Sequence, residues 1–295
     1  MADYILGLDA GNTVIKAIIF DADGKELAVA AEDGRSNMPQ PGHVERDLDE
    51  LWTNAQEVIR RCVANAGIDA RDIRAIGCAG HGNGLYALDK SGGALLGIQS
   101  IDTRGNDIVR EWQAEGVGDQ TFAHCRQKPW TAQTPTLLAW LKRHQPDLFK
   151  RIGTVFLCKD YVVWRLTGER VSETSDMAGC GLLQVPGRTY SADLLDAYGL
   201  GDCLPLLPRL LEPDDIAGRI TTDVAAATGL HPGTPVVAGL FDVVASAIGS
   251  GVTRTGAASI IAGTWSINQV ITDQPPDDPS IFMLSTFDRQ RWLAI

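Results

Sequence analysis

Asp9, Gly11, Asn12 and Thr13 lie together between two β-rich runs, with Lys16 on the second run. Gly11 permits a tight turn, so backbone N–H groups there could converge on an anion. Asn12 and Thr13 add donors and Lys16 adds a cation. Asp9 would repel a bare phosphate, so this grouping calls for a Mg²⁺ ion between carboxylate and phosphate. A plain Asp-x-Gly hairpin explains the same residues without any ligand. The sequence holds no G-x-x-x-x-G-K-[ST] phosphate loop.

A second candidate is Asp242. It follows the apolar run Val236–Phe241 and precedes the small-residue segment Val243–Ser250. Open α/β sheets bind ligands at the carboxyl ends of their strands, so a catalytic carboxylate belongs at such a junction. Asp is also a favoured helix N-cap, and capping alone would account for it. The two roles are compatible: a capping carboxylate stays ionised near the helix dipole and can accept a hydroxyl proton.

Gly77-Cys78-Ala79-Gly80-His81-Gly82-Asn83-Gly84-Leu85 is a third candidate. Its glycines leave a strand end with little bulk except His81 and Asn83, which suits close approach of a polyhydroxylated ligand. A glycine-rich loop without function is the alternative. Gly263-Thr264-Trp265 could form a second phosphate hairpin, or a plain turn. Asp102 and Arg104 could pair with each other or touch a ligand. Lys159-Asp160-Tyr161 reads as a helix cap, and Trp52, Trp140 and Trp164 read as core.

The elements that must position these residues follow from periodicity. Tyr4–Leu8 and Val14–Phe20 are short apolar runs separated by turn signals and read as the start of a β-meander. Leu48, Leu51, Trp52, Ala55, Val58, Ile59, Cys62 and Val63 recur at helical spacing. Asp47 and Glu50 suggest a capping box, and Gly67 a stop. Ile73–Ala79 reads as a buried strand. The resulting β-β-β-α-β order differs from the alternating βαβ of a dinucleotide-binding oxidoreductase. The stretch from Ile108 to Leu230 reads as mostly helical. Ala257–Ala262, Ile267–Ile271 and Arg291–Ile295 read as new strands, a second meander echoing the first, and a lobe boundary is expected near Val252.

The chain has 295 residues, a length that suits about two domains, and a formal net charge of −11. That charge argues against nucleic acid and anionic lipid as partners. Six cysteines form no C-x-x-C pair, which argues against a zinc knuckle, and a reducing cytoplasm is the default setting. No apolar run approaches the roughly 20 residues that a bilayer span needs.

Taken in order, these motifs resemble the FGGY family of carbohydrate kinases, in the actin/hexokinase/heat-shock-70 superfamily. The resemblance rests on Gly7–Thr13, Gln40–Asp47, Gly80–Leu85, Lys159–Tyr161 with Leu166–Gly168, Ser175-Asp176, Pro235–Gly239 with Asp242, and Gly263–Trp265. It implies an α/β, ribonuclease-H-like (actin-like ATPase) fold: a sugar-binding lobe over 1–252 and the start of a nucleotide-binding lobe over 253–295. It further implies ATP and Mg²⁺, with Asp9 as the metal-side carboxylate. Gly11, Asn12, Thr13 and Lys16 would form a first phosphate loop, and Gly263 and Thr264 a second. Asp242 would be the catalytic base, and His81, Asn83 and Asp102 would line the sugar pocket.

Details of the motifs are similar to the L-xylulose/3-keto-L-gulonate and xylulose kinase branch. The implied activity is transfer of the γ-phosphoryl group to a pentulose or related keto-sugar. A polyol kinase, or a non-catalytic sugar-binding protein on the same scaffold, are the alternatives. Val243 stands where related enzymes place an amide, so the sugar would be held differently. The chain would work in the cytoplasm, and a homodimer is compatible with the resemblance. The apolar end at Ile295 suggests that the adenine-binding part lies beyond this sequence, so the chain alone is expected to turn over ATP poorly.

Overall fold

The computed structural model describes residues 3–262 and 266–295. Its main sheet begins with three antiparallel strands, Tyr4–Ala10, Val14–Asp21 and Glu26–Asp33. Alternation along the first two puts Leu6, Leu8, Ala10, Ile15, Ala17 and Ile19 into the core. The helix Leu48–Ala66 packs on this face through Leu51, Ala55, Val58, Ile59 and Cys62. Ile73–Gly80 then pairs in parallel with the first strand, and Pro235–Val237 and Leu240–Phe241 pair in parallel with Ile73–Gly80. The β-β-β-α-β order is as the periodicity indicates, and the carboxyl ends of the parallel strands Tyr4–Ala10, Ile73–Gly80 and Leu240–Phe241 lie at the same end of the sheet.

The helix start differs from the expected capping box in one half. Asp47 accepts the Asp49 and Glu50 N–H groups at 2.9 and 3.0 Å. The Glu50 carboxylate instead accepts the Arg35 N–H. Because Glu50 has a long-range partner, it does not reach back to the cap.

Between Ile108 and Leu230 most of the regular structure is helical, as read, with short strands of which Ile152–Phe156 is the longest. Leu85–Asp89, Ala94–Ile98 and Ile152–Phe156 build a second sheet with the short strands Ser36–Asn37 and Glu45–Arg46. Around it the helices Asn106–Ala114, Val117–Cys125 and Thr134–His144 close a second core containing Trp112, Leu137 and Leu141. Cys158–Thr167 and the short helix Thr174–Gly179 are buried between these layers.

The last residues form a separate four-stranded antiparallel sheet of Ala258–Ala262, Ser266–Thr272, Leu284–Thr286 and Trp292–Ala294. It is not a simple meander. Trp292–Ala294 inserts between Ser266–Thr272 and Leu284–Thr286, and Ile295 pairs with Met283 through both backbone groups. Among the described residues no helix is long and apolar enough to cross a membrane.

Candidate active site

Asp9 is the penultimate residue of the first strand, opposite Lys16 on one side and Ala79 on the other. The turn that follows is closed by the Gly11 N–H donating to the Val14 carbonyl at 3.1 Å. A Cβ on residue 11 would lie 2.8 Å from that oxygen, so the turn requires glycine. Burial raises the Asp9 carboxyl above its ordinary range, while the charge of Lys16 lowers it. Thr13 is exposed and uses its carbonyl to accept the Gly34 N–H.

Asn12, expected among the phosphate donors, turns the other way. Its side chain donates to Ser100 Oγ at 2.9 Å, and its carbonyl accepts Arg46 and Gln99 side chains. It therefore ties the turn to the second sheet.

Asp242 opens the helix Asp242–Gly249, but not as its cap: Phe241 holds the N-cap position and no side chain caps this helix. The capping explanation for this carboxylate therefore does not apply. Gly239, at φ 92°, lets the chain turn between Pro235–Val237 and Leu240–Phe241 at a point where a Cβ would strike the Cys78 carbonyl. Ionisation of Asp242 is disfavoured, contrary to the expected capping carboxylate. Burial and, secondarily, the charge of Asp9 push it up to about 7, against a lowering hydrogen bond from the Val243 N–H.

Two cavities meet at this carboxylate. One, of about 1020 Å³, is lined by Asp9, Gly77, Ala79, Gly239, Asp242 and Arg289 among others. The other, of about 550 Å³, is lined by residues that include Asn12, His81, Asn83, Trp130, Asp242 and Val243. Asp242 is the one described residue that lines both.

The smaller cavity is lined by apolar side chains on several sides and by a few polar residues. His81 is buried and held neutral: desolvation lowers it to about 4. Its Nε2 lies 2.9 Å from the Tyr86 hydroxyl and its Nδ1 3.4 Å from the Gly82 carbonyl. A carbonyl only accepts, so the ring proton belongs on Nδ1. Asn83 adopts φ 61°, and its Oδ1 is buried without a partner. Trp130 Nε1 is likewise buried and unpartnered. Two residues that line this cavity therefore keep one unpartnered acceptor and one unpartnered donor. Trp130 escaped the sequence reading because it lies in an irregular segment after Pro129, where no periodicity marks it.

Asp102 is placed elsewhere. It is 1% exposed, accepts the Val44 N–H at 2.6 Å and pairs with Arg104, and it lines neither cavity. The motif around residue 102 therefore supports the wall rather than facing a ligand. Lys16 is exposed and acts on Asp9 by its charge. Gly263 and Thr264 lie outside the described residues.

Lys159 is not part of a simple cap. Its ammonium is fully buried, 2.6 Å from Asp160, 3.1 Å from Glu173 and 3.6 Å from Asp176. Asp160 accepts the Leu157 N–H and the Ser172 hydroxyl. Asp176 keeps two buried oxygens without hydrogen-bond partners, and burial holds it well above the ordinary carboxylate range.

Asp9, Asp242, Glu212, Asp214 and Asp288 all line the larger cavity, and of these Asp9 and Asp242 lie at the strand ends, where they could hold a divalent cation. Among the described residues no cluster of three or more His, Cys, Asp or Glu side chains is placed to hold one. Two carboxylates suit Mg²⁺, which is commonly bound through one or two carboxylates plus phosphate oxygens and water.

Comparison with known proteins identifies the family. The chain is 38% identical to the L-xylulose/3-keto-L-gulonate kinase of Escherichia coli (strain K12) over 276 residues, 92% of the chain and 55% of that protein. It is 31% identical to an autoinducer-2 kinase of Klebsiella pneumoniae, covering 94% of the chain and 53% of that protein. The crystal structure of xylulose kinase from Rhodospirillum rubrum superposes with a TM-score of 0.92 at 29% identity, over 99% of this chain and 59% of that one. The chain thus spans a little over half the length of these relatives. The family model for the N-terminal domain of FGGY carbohydrate kinases matches residues 4–249, and the chain belongs to that family.

Proposed function

We propose that this chain supplies the sugar-binding lobe, residues 1–252, and the start of the nucleotide-binding lobe, residues 253–295, of an ATP-dependent sugar kinase. The acceptor is a keto-sugar of the xylulose type, L-xylulose or 3-keto-L-gulonate among the candidates. The observation that carries this reading is the position of Asp242 on the wall shared by two cavities. A phosphoryl transferase needs its base beside the acceptor hydroxyl at the point where that oxygen meets the γ-phosphate, leaving the line between oxygen and phosphorus open, and a carboxylate at the junction of the two spaces meets that need.

The sugar would occupy the smaller cavity, with hydroxyl groups satisfying Asn83 Oδ1 and Trp130 Nε1. Val243 presents an apolar surface there and offers no hydrogen bond. Asp242, with its carboxyl raised to about 7, is poised to take the hydroxyl proton near neutral pH. The phosphates would lie in the larger cavity, near Asp9 and the turn at Gly11. Asp9 would hold Mg²⁺, which when bound with ATP supplies charge neutralisation at the phosphate oxygens. Catalysis is then mostly positioning and electrostatics. A cytoplasmic setting fits the six buried free cysteines. The homodimer suggested by the resemblance remains part of the proposal.

Titration calorimetry with a panel of ketoses and polyols, followed by coupled ADP release from the full-length protein, tests the reading. A keto-sugar that binds and releases ADP is the expected result. Sugar binding with no ADP release from any acceptor would instead leave a binding protein.

A further inference from the structure

The short helix Thr174–Gly179 is buried along its whole length, yet none of its residues lines either cavity. Its connection to the site runs through Ser175. The Ser175 hydroxyl accepts the Phe241 N–H at 3.0 Å and donates to Glu173 Oε1 at 2.9 Å. Phe241 is the residue immediately before Asp242. Glu173 Oε1 lies 3.1 Å from Lys159 Nζ, and all three side chains of this chain of contacts are fully buried. The proton of the hydroxyl is committed to an acceptor held by a cation, which leaves its lone pair for the Phe241 amide. A neutral water could not be held in that orientation so firmly.

The segment that donates this hydrogen bond has few others to hold it. Leu240–Phe241 is a strand of only two residues, paired with Ala79 and Gly80 and separated from Pro235–Val237 by the turn at Gly239. The other face of the helix is fixed as well: the Ser175 carbonyl accepts the Ser285 hydroxyl at 2.8 Å, from the sheet at the end of the chain.

We infer that Ser175, oriented by Glu173 and Lys159, is a positioning residue for Asp242, fixing the Phe241–Asp242 backbone so that the carboxylate stays on the wall between the two cavities. This rests on the reading of Asp242 as the base. The hydroxyl touches neither substrate and acts only through the backbone. A displacement of about 1 Å at a reacting group can cost on the order of a hundredfold in rate. Removing the hydroxyl leaves a buried N–H to find another acceptor, and the carboxylate moves with it.

The test compares Ser175→Ala and Ser175→Thr with the wild type in the full chain. Ser175→Ala is expected to lower kcat about ten- to a hundredfold while the sugar KM stays within about threefold. Ser175→Thr, which keeps a hydroxyl, is expected to restore kcat. A kcat within twofold of wild type for Ser175→Ala overturns the proposal. So does a parallel loss of kcat, sugar affinity and thermal stability that Ser175→Thr does not restore, because that is the pattern of a structural role alone. Should Ser175→Ala fail to fold, Ser175→Cys replaces it, since its thiol has similar shape and bonds weakly. A wild type that transfers no phosphoryl group defeats the base assignment itself. The positioning is then read from the ¹³C titration of the Asp242 carboxyl, where an identical midpoint in wild type and Ser175→Ala overturns it.

Discussion

Asp9 and Asp242 line one cavity from strand ends on either side of Ile73–Gly80, and after burial the charge of the first is what raises the pKa of the second. Each carboxylate therefore does two things. Asp9 makes Asp242 a stronger base, and the pair together forms the negative site that a divalent cation would neutralise. A cation bound there reverses the first effect, since it favours the ionised form of both.

This coupling predicts a pH profile. With Asp242 near 7, kcat/KM should fall about tenfold per pH unit on the acid side of neutrality. Asp9→Asn removes the charge that helps hold Asp242 up, so the Asp242 carboxyl should titrate at lower pH in that variant. A ¹³C titration of labelled aspartate reads this without turnover. An unchanged midpoint would mean that burial alone sets it.

Asp242→Asn separates catalysis from binding and from stability. Turnover should be lost, with sugar affinity kept within about tenfold. Stability should move the opposite way. The folded carboxyl is raised above its unfolded value of 3.8, so the native state holds its proton more tightly than the unfolded chain does. Its contribution is full below about pH 4 and is lost as pH rises to about 7, a swing of up to about 4 kcal/mol. Asn carries no such penalty. The thermal midpoint of Asp242→Asn relative to wild type should therefore rise between pH 5 and pH 8, and a flat difference would contradict the raised carboxyl.

Residues with local signatures were legible in the sequence. Asp9 and Gly11 lie in a turn between alternating strands, and Asp242 lies where an apolar run meets a small-residue segment, so spacing alone points at both. Trp130 carries no such mark, and Ser175 stands only in a motif with no role attached: one sits in an irregular loop, the other in a six-residue helix. The partner of Ser175, the Phe241 N–H, is 66 positions away and is set by tertiary packing. In the second sheet the strand at Leu85–Leu88 and its turn are legible, whereas Ile152–Phe156, of sequence IGTVF, is a short run that periodicity alone does not distinguish from a helical turn. Asp102 was misplaced because a motif position says nothing about which way a side chain points.

The Lys159 cluster predicts a large cost for breaking one partner. Lys159→Met would leave Asp160, Glu173 and Asp176 buried without their cation. Removing one member of such a buried group typically costs about 3–5 kcal/mol. Urea unfolding at neutral pH measures it. A loss below about 1 kcal/mol would mean that the carboxylates are already neutral without the lysine.

Trp130→Phe tests the orphaned donor in the smaller cavity. The substitution keeps a ring stacked near Phe282, whose centroid lies 5.4 Å from that of Trp130, and removes only the N–H. If Nε1 donates to a sugar hydroxyl, the loss is one hydrogen bond, about 1 kcal/mol or roughly fivefold in sugar affinity. Loss of that donor should leave the fold intact, because no protein group receives it. The same substitution should matter least for a ligand lacking the hydroxyl that faces residue 130, so a series of deoxy-sugars locates the contact. Calorimetry that finds equal affinity for wild type and Trp130→Phe across the whole series would place the sugar away from this wall.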